Sequence, residues 1–202
     1  MRECKNSLFI CSVFSNLYLY GIIILEVVNM DKIELMDFID SNITYELIHK
    51  WCSNKFVYEW FEQRILTYDE VVIKYKNKLL EGKQKLFLIN YNDITIGLIQ
   101  VYKYEDTIFD KLKDYKNIYE YDIFIGDSNY IHKGLGTKIV SVVNNYIYEN
   151  YLADCIVLRP FKRNIKAIKC YEKNNFHVIN EYVGKDTLGN SEEIVVLINI
   201  PE

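Results

Sequence analysis

Residues 118–142 read IYEYDIFIGDSNYIHKGLGTKIVSV, and the rest of the chain can be arranged around this stretch. Its apolar and aromatic residues at 118–125 predict a strand that ends ahead of Gly126. From position 134, apolar side chains recur at three- and four-residue spacing, which predicts a helix over residues 134–151. A strand, a glycine-containing loop and a helix therefore follow one another here.

The flanking segments alternate between strand and helix patterns. Upstream, we predict a strand over residues 32–38, one helical region over 43–61, and a helix that starts at a Thr67-x-x-Glu70 capping box. An Asn-Asp pair between two β-branched runs predicts a hairpin. The other predicted elements are strands over 85–91, 94–104, 155–158, 176–183 and 193–200 and a helix over 164–174. This order predicts a mixed α/β domain.

The composition excludes several classes of protein. The chain has 202 residues, 50% of them hydrophobic, which suits one globular domain. A net charge of -4 makes nucleic acid a poor partner and fits a cationic ligand better. The five cysteines have no C-x-x-C spacing, so neither a metal site nor a disulfide framework is indicated. Reduced thiols favour a cytoplasmic protein.

Residues 1–29 stand apart, because Arg2 and Lys5 precede an apolar-rich stretch. A signal peptide and a membrane anchor remain alternatives. Polar residues interrupt the stretch, however, and Met30 stands directly before the first predicted strand. We therefore interpret residues 1–29 as a dispensable extension, place the domain at residues 30–202, and expect no membrane partner.

Two patterns carry chemistry. Gly134 and Gly136 at a helix start can present backbone N–H groups and the positive helix end to a phosphate, although a lone G-x-G also forms simple turns. Downstream, Asn164, Ala167 and Tyr171 lie three and four residues apart, on one face of a helix. That face can equally pack on a sheet.

Together these patterns resemble the GCN5-related N-acetyltransferase superfamily, in which a Q/R-x-x-G-x-G/A loop binds the CoA pyrophosphate and an N-x-x-A-x-x-x-Y helix follows. Within it, the segments YDIFIG (121–126), KGLGTK (133–138) and KAIKCYEK (166–173) closely resemble the aminoglycoside 6'-N-acetyltransferases. The likeness is strongest from 118 to 176. It implies a central mixed, mostly antiparallel sheet flanked by helices, and acetyl-CoA-dependent acetylation of an aminoglycoside 6'-amine, an antibiotic-resistance activity, by a monomer or homodimer.

The resemblance also implies roles for individual residues. Asp122 is the expected base that takes a proton from the amine, and Tyr171 is the expected acid near the sulfur. The implied cofactor-binding residues are Ile123, Phe124, Ile125, Lys133, Gly134, Leu135, Gly136, Thr137, Asn164 and Ala167. The implied substrate-binding residues are Glu105, Asp106, Asp122, Glu193 and Trp60, and Trp51 either joins them or packs in the core.

Three positions depart from the family pattern. Ile131 occupies the Q/R position of the loop, and Asn175 replaces a glycine, for which Asn is the next-best residue at a left-handed helix end. Arg159 stands where the related aminoglycoside enzymes commonly have Asp. This cation keeps one alternative open, an acetyltransferase for a polyamine or a protein N-terminus. A non-catalytic CoA-binding module is an alternative of a different class, and the presence of both Asp122 and Tyr171 argues against it.

Deletion of residues 1–29 should leave a folded and active acetyltransferase, because every predicted element begins after Met30. Circular dichroism and a thiol-release assay of the shortened chain check this. Aggregation or loss of activity would show that the extension belongs to the functional protein.

Overall fold

A computed structural model describes residues 31–106 and 109–201. The strands are β1 (Ile33–Asp37), β2 (Gln84–Tyr91), β3 (Ile94–Lys103), β4 (Ile118–Ile125), β5 (Cys155–Leu158), β6 (His177–Lys185) and β7 (Ser191–Asn199). The helices are α1 (Asn42–Cys52), α2 (Lys55–Tyr58), α3 (Tyr68–Glu81), α4 (Leu135–Tyr151) and α5 (Ile165–Glu172). The predicted extension, residues 1–29, lies outside this range. No helix of the described ranges is long and apolar enough to cross a membrane.

The seven strands form one sheet in the order β1-β2-β3-β4-β5-β7-β6. Each neighbouring pair is antiparallel except β4 and β5, which are parallel and joined through α4. The mixed, mostly antiparallel sheet predicted from the sequence is confirmed.

The turns and helix caps predicted from short stretches of sequence are present. Thr67 and Glu70 make both hydrogen bonds of a capping box at the start of α3, which ends at Gly82 in a left-handed conformation. Asn92 and Asp93 both have positive φ values, 48° and 64°, as a two-residue hairpin turn requires. Asn175 has φ 61°, so the expected left-handed residue after α5 is confirmed.

The helical region predicted over residues 43–61 is broken into α1 and α2, so that prediction was wrong. Ser53 donates its hydroxyl to the His49 carbonyl at 2.8 Å, and Asn54 donates its amide to the Lys50 carbonyl at 3.2 Å. These side chains satisfy carbonyls at the end of α1, and Asn54 has extended backbone angles. The break leaves Trp60 in a turn after α2.

Alternate residues of β4 face two separate cores. Tyr121 packs with α4 and α5 on one face of the sheet, and Phe124 packs with α1 and α3 on the other. Because side chains alternate along a strand, Glu120 and Asp122 share the face of Phe124.

Gly126, directly after β4, is in close contact with Trp51. A Cβ at this position would lie 2.1 Å from Cγ of Trp51, whose side chain is 2% exposed. The indole ring therefore covers the backbone at the end of β4 and holds α1 against it. Of the two predicted tryptophans, Trp51 is a core residue.

Substitution of Gly126 by Ala should lower the free energy of unfolding by about 3 kcal/mol, because the added methyl overlaps the Trp51 ring. Thermal and urea unfolding measure the change. Combining Gly126→Ala with Trp51→Leu should cost less than the sum of the two single changes, since Leu makes room for the methyl. Strict additivity would show that the two residues do not limit each other.

Candidate active site

The site lies where β4 and β5 separate. The two strands pair only along Ile118–Glu120 and Cys155–Val157. β5 then ends at Leu158, ahead of Arg159 and Pro160. Along residues 121–125, β4 pairs with β3 on one side, and among the described residues no strand pairs with it on the other.

Two cavities open at this separation. The acidic cavity has a volume of about 220 Å³ and is lined by Trp60, Phe61, Glu120, Tyr121, Asp122, Ile123, Leu158, Arg159, Pro160, Phe161, Asn164 and Tyr171. The helix groove, about 570 Å³, runs along β4, the start of α4 and α5. Five residues line both: Trp60, Phe61, Ile123, Asn164 and Tyr171. The cavities therefore meet beside Ile123 and Tyr171.

Asp122 supplies a carboxylate to the acidic cavity. The Tyr102 hydroxyl donates to its Oδ2 at 3.3 Å. Burial raises the pKa of Asp122, and the positive charge of Lys78 and the Tyr102 hydrogen bond partly offset this effect. A carboxyl group with a raised pKa accepts a proton more readily than an exposed aspartate does.

Tyr171 comes from the last turn of α5. Its ring packs against Phe176 with 5.8 Å between centroids, and burial raises the pKa of its hydroxyl well above the usual range. The hydroxyl is therefore a proton donor throughout the neutral pH range. Tyr171 packs against the core on the α4 and α5 face of the sheet, whereas Asp122 lies on the other face, with Phe124.

Asn164 begins α5 and lines both cavities. Its Oδ1 accepts a hydrogen bond from the Ala167 backbone N–H at 3.2 Å, so it caps the helix. Ala167 lines the helix groove one turn further along. The predicted face of α5 is thus turned towards the groove.

The loop before α4 leaves the start of that helix open. Gly134 has φ 75° and makes no side-chain cap hydrogen bond. A Cβ at Gly136, which lines the helix groove, would meet only Cys170 Sγ, at 3.4 Å. The first backbone N–H groups of an uncapped helix have no partner within the helix, so they can bind an anion.

The other predicted cofactor residues differ in their surroundings. Ile123, Phe124 and Ile125 line the helix groove. Leu135 is 4% exposed and belongs to the core, and the Thr137 hydroxyl lies 3.7 Å from Cys170 Sγ. Lys133 lies over the ring of Tyr130, with its Nζ 5.6 Å from the ring centroid.

Arg159 forms ion pairs with two carboxylates at the wall of the acidic cavity. Its Nε and one terminal nitrogen donate to the two oxygens of Glu120, at 2.9 and 2.8 Å. Its other terminal nitrogen pairs with Asp106. Burial raises the pKa of Glu120 to about 7, even though the hydrogen bonds from Arg159 act to lower it. We refer to Arg159, Glu120 and Asp106 as the arginine clamp.

The remaining predicted substrate residues are only partly brought to the site. Trp60 lines both cavities. Asp106 is held at the wall by Arg159, while Glu105 and Glu193 are not among the described residues that line the two cavities. Glu193 lies 3.8 Å from Lys162 in an ion pair.

Sequence reasoning missed several residues of the site. Glu120 stands two positions before Asp122, and the alternation of a strand would have placed both on one face. Phe61 and Phe161 line the acidic cavity from loops, where no periodic pattern marks them. Among the described residues, no group of three or more His, Cys, Asp or Glu side chains could hold a metal ion.

Solved structures share this fold. An aminoglycoside acetyltransferase, AAC(6')-Ib, in complex with paromomycin and acetyl-CoA is 20% identical, with a TM-score of 0.70, covering 84% of this chain and 94% of that one. A spermidine N-acetyltransferase from Vibrio cholerae in complex with CoA and spermine is 16% identical, with a TM-score of 0.67, covering 83% and 95%.

Sequence comparisons agree. The acetyltransferase PseH of Campylobacter jejuni is 24% identical over 154 residues, covering 74% of this chain and 87% of that protein. The model of the acetyltransferase (GNAT) domain family matches residues 42–183, well over half of the chain. The chain therefore belongs to the GNAT family of acetyltransferases.

Proposed function

We propose that this protein transfers the acetyl group of acetyl-CoA directly to a primary amine, and that the amine is the 6'-amine of an aminoglycoside. The observation that carries the proposal is the junction of the two cavities at Ile123 and Tyr171. An acyl donor in one cavity and an amine in the other would meet there, so the reacting atoms are brought together without a covalent enzyme intermediate.

The helix groove suits acetyl-CoA. The uncapped start of α4 offers backbone N–H groups to the pyrophosphate, with Gly136 allowing close approach. The open edge of β4 at residues 123–125 offers backbone groups to the pantetheine arm. One of these N–H groups can stabilise the negative charge that develops on the thioester oxygen.

The acidic cavity suits the amine. An ammonium has no lone pair, so it must lose a proton before it attacks the thioester. Asp122 attracts the cation and then accepts this proton, directly or through a water molecule. Tyr171, at the junction, donates a hydrogen bond or a proton to the departing thiolate.

The proposed acceptor has two kinds of support. AAC(6')-Ib, whose structures include one with kanamycin and CoA, shares the fold over most of both chains. Phe61 gives the acidic cavity an apolar wall against which the face of a sugar ring can pack. The rings of Trp60 and Phe161 extend this wall, and the Arg163 guanidinium lies over both of them. Thiol release from acetyl-CoA, measured with aminoglycosides, polyamines and peptides, tests this acceptor. Turnover with polyamines or peptides alone would contradict the aminoglycoside assignment.

Substitution of Gly136 by Val should weaken acetyl-CoA binding at least about tenfold and leave amine binding nearly unchanged. The fold tolerates a Cβ there, but a branched side chain fills the space in which the phosphates approach the backbone. Titration calorimetry measures both affinities. Ser141→Val, on the exposed side of the same helix, is the matched control. Equal cofactor affinity in both variants would refute the phosphate site.

Substitution of Asp122 by Asn should lower kcat at least about tenfold while acetyl-CoA affinity holds, because Asn cannot accept the proton. Wild-type activity should fall as the pH drops through the raised pKa of Asp122, since protonation removes the base. In the variant, a higher pH should partly restore the rate by deprotonating the free amine. Steady-state kinetics across pH check this. Glu149→Gln, at an exposed position of α4, is a control with the same change of charge. Wild-type kcat in Asp122→Asn would exclude the base role, whereas a raised KM alone would show a purely attractive carboxylate.

A further inference from the structure

The carboxylates at the acidic cavity differ in whether a cation of the protein already pairs with them. Two carboxylates line it, Glu120 and Asp122, and Asp106 stands at its wall. Glu120 gives both oxygens to Arg159, and Asp106 is the third partner of the same guanidinium. Asp122 is the remaining carboxylate of the lining, and its hydrogen-bond donor among the described residues is the neutral Tyr102 hydroxyl.

The clamp is rigid. The pairing of Arg159 with Glu120 is bidentate, a geometry that fixes both planar groups. The side chain of Glu120 is 6% exposed and that of Arg159 is 21% exposed, so solvent screens this pair weakly. The guanidinium also lies over the Tyr104 ring, 5.2 Å from its centroid. An incoming cation would have to displace these contacts before it could use Glu120.

We propose that the arginine clamp is a specificity device that admits one positive charge into the acidic cavity, so that the preferred acceptor is a ring bearing a single amine. This inference rests on the proposed acetylation of an amino sugar. The reacting ammonium pairs with Asp122. A second ammonium on the same ring finds Glu120 and Asp106 already neutralised and meets the positive charge of Arg159.

Kanamycin A and kanamycin B supply a matched pair of acceptors. Both carry a 6'-amine, and they differ at the 2' position of the same ring, which bears a hydroxyl in kanamycin A and an amine in kanamycin B. The clamp predicts that the wild-type protein has the higher kcat/KM for kanamycin A. The measured quantity is the ratio of kcat/KM for A to that for B, at about pH 8, where Glu120 is ionised.

Arg159→Gln should lower this A-to-B ratio at least about tenfold, because Glu120 and Asp106 become available to the second ammonium. The double variant Glu120→Gln/Arg159→Gln removes one charge of each sign, so the cavity keeps its wild-type net charge. Its ratio should return to within about threefold of the wild-type value. Lys162→Gln removes the same charge from a lysine that pairs with Glu181 outside the cavity, and it should leave the ratio unchanged.

Arg159→Gln leaves Glu120 buried without its partner, which destabilises the fold, and thermal unfolding shows whether the variant still folds. If it does not, Asp106→Asn tests the proposal instead, because the side chain of Asp106 is 53% exposed and its replacement leaves no buried carboxylate unpaired. Loss of Asp106 leaves Arg159 less neutralised, so the A-to-B ratio should rise. The double variant leaves no buried carboxylate without a partner, because Glu120 becomes neutral and the side chain of Asp106 is 53% exposed, so it is a second comparison.

The outcomes separate this inference from the proposed function. A wild-type protein that acetylates neither kanamycin would overturn the proposed acceptor itself. A wild-type protein that acetylates both equally, with the ratio unchanged in Arg159→Gln or Asp106→Asn, would overturn the clamp alone. A lowered ratio that persists in the double variant would show that the shape of Arg159, and not its charge, selects the acceptor.

Discussion

The site depends on how briefly β4 and β5 pair. Parallel strands need a crossover connection, and here α4 supplies it, so the two strands can pair only after the chain has passed through the helix. They do so along only three residues of each strand. Beyond Glu120, β4 pairs with β3 on one side, and no strand of the described part of the chain pairs with it on the other. Both cavities, and the junction between them, occupy the space that a longer β5 would have filled.

The separation also decides which charges the cavity can hold. β5 ends just before Arg159, so the guanidinium lies level with Glu120, the last β4 residue that pairs with β5. Bringing Glu120 out of water is costly, and the bidentate arginine offsets the cost where the strands still touch. Asp122 lies two residues further along β4, where no cation of the described residues is hydrogen-bonded to it and the Tyr102 hydroxyl donates to it. The same strand therefore carries one carboxylate that is paired with an arginine and one that is hydrogen-bonded to a neutral hydroxyl.

The sequence predicts local features well because their causes lie within a few residues. The capping box of α3, the hairpin turn at Asn92-Asp93 and the left-handed Asn175 all depend on neighbouring side chains or on backbone preference. Even here, Ser53 and Asn54 broke a predicted helix by bonding to its carbonyls. The apolar periodicity of residues 43–61 contains no sign of that competition.

Sequence patterns did not predict the contacts between residues that are far apart in the chain. Arg159 and Glu120 are 39 positions apart, and their pairing follows from strand register. Sequence therefore suggested that Asp106 contacts an acceptor, whereas the fold places it against Arg159. The two tryptophans look equivalent in the sequence, yet Trp51 is buried against Gly126 and Trp60 lines the cavities. Only the packing of α1 on β4 distinguishes them.

The burial that raises the pKa of Asp122 also raises that of Tyr171, with opposite consequences for their roles. A base gains from a raised pKa, because its conjugate acid holds the proton more firmly. An acid loses from a raised pKa. A phenol whose pKa lies well above the usual value of about 10 would have to protonate the thiolate of a thiol whose pKa is about 8.5. Full proton transfer from Tyr171 is then uphill. In the proposed reaction, the raised pKa of Tyr171 therefore favours a hydrogen bond to the departing thiolate over full proton transfer.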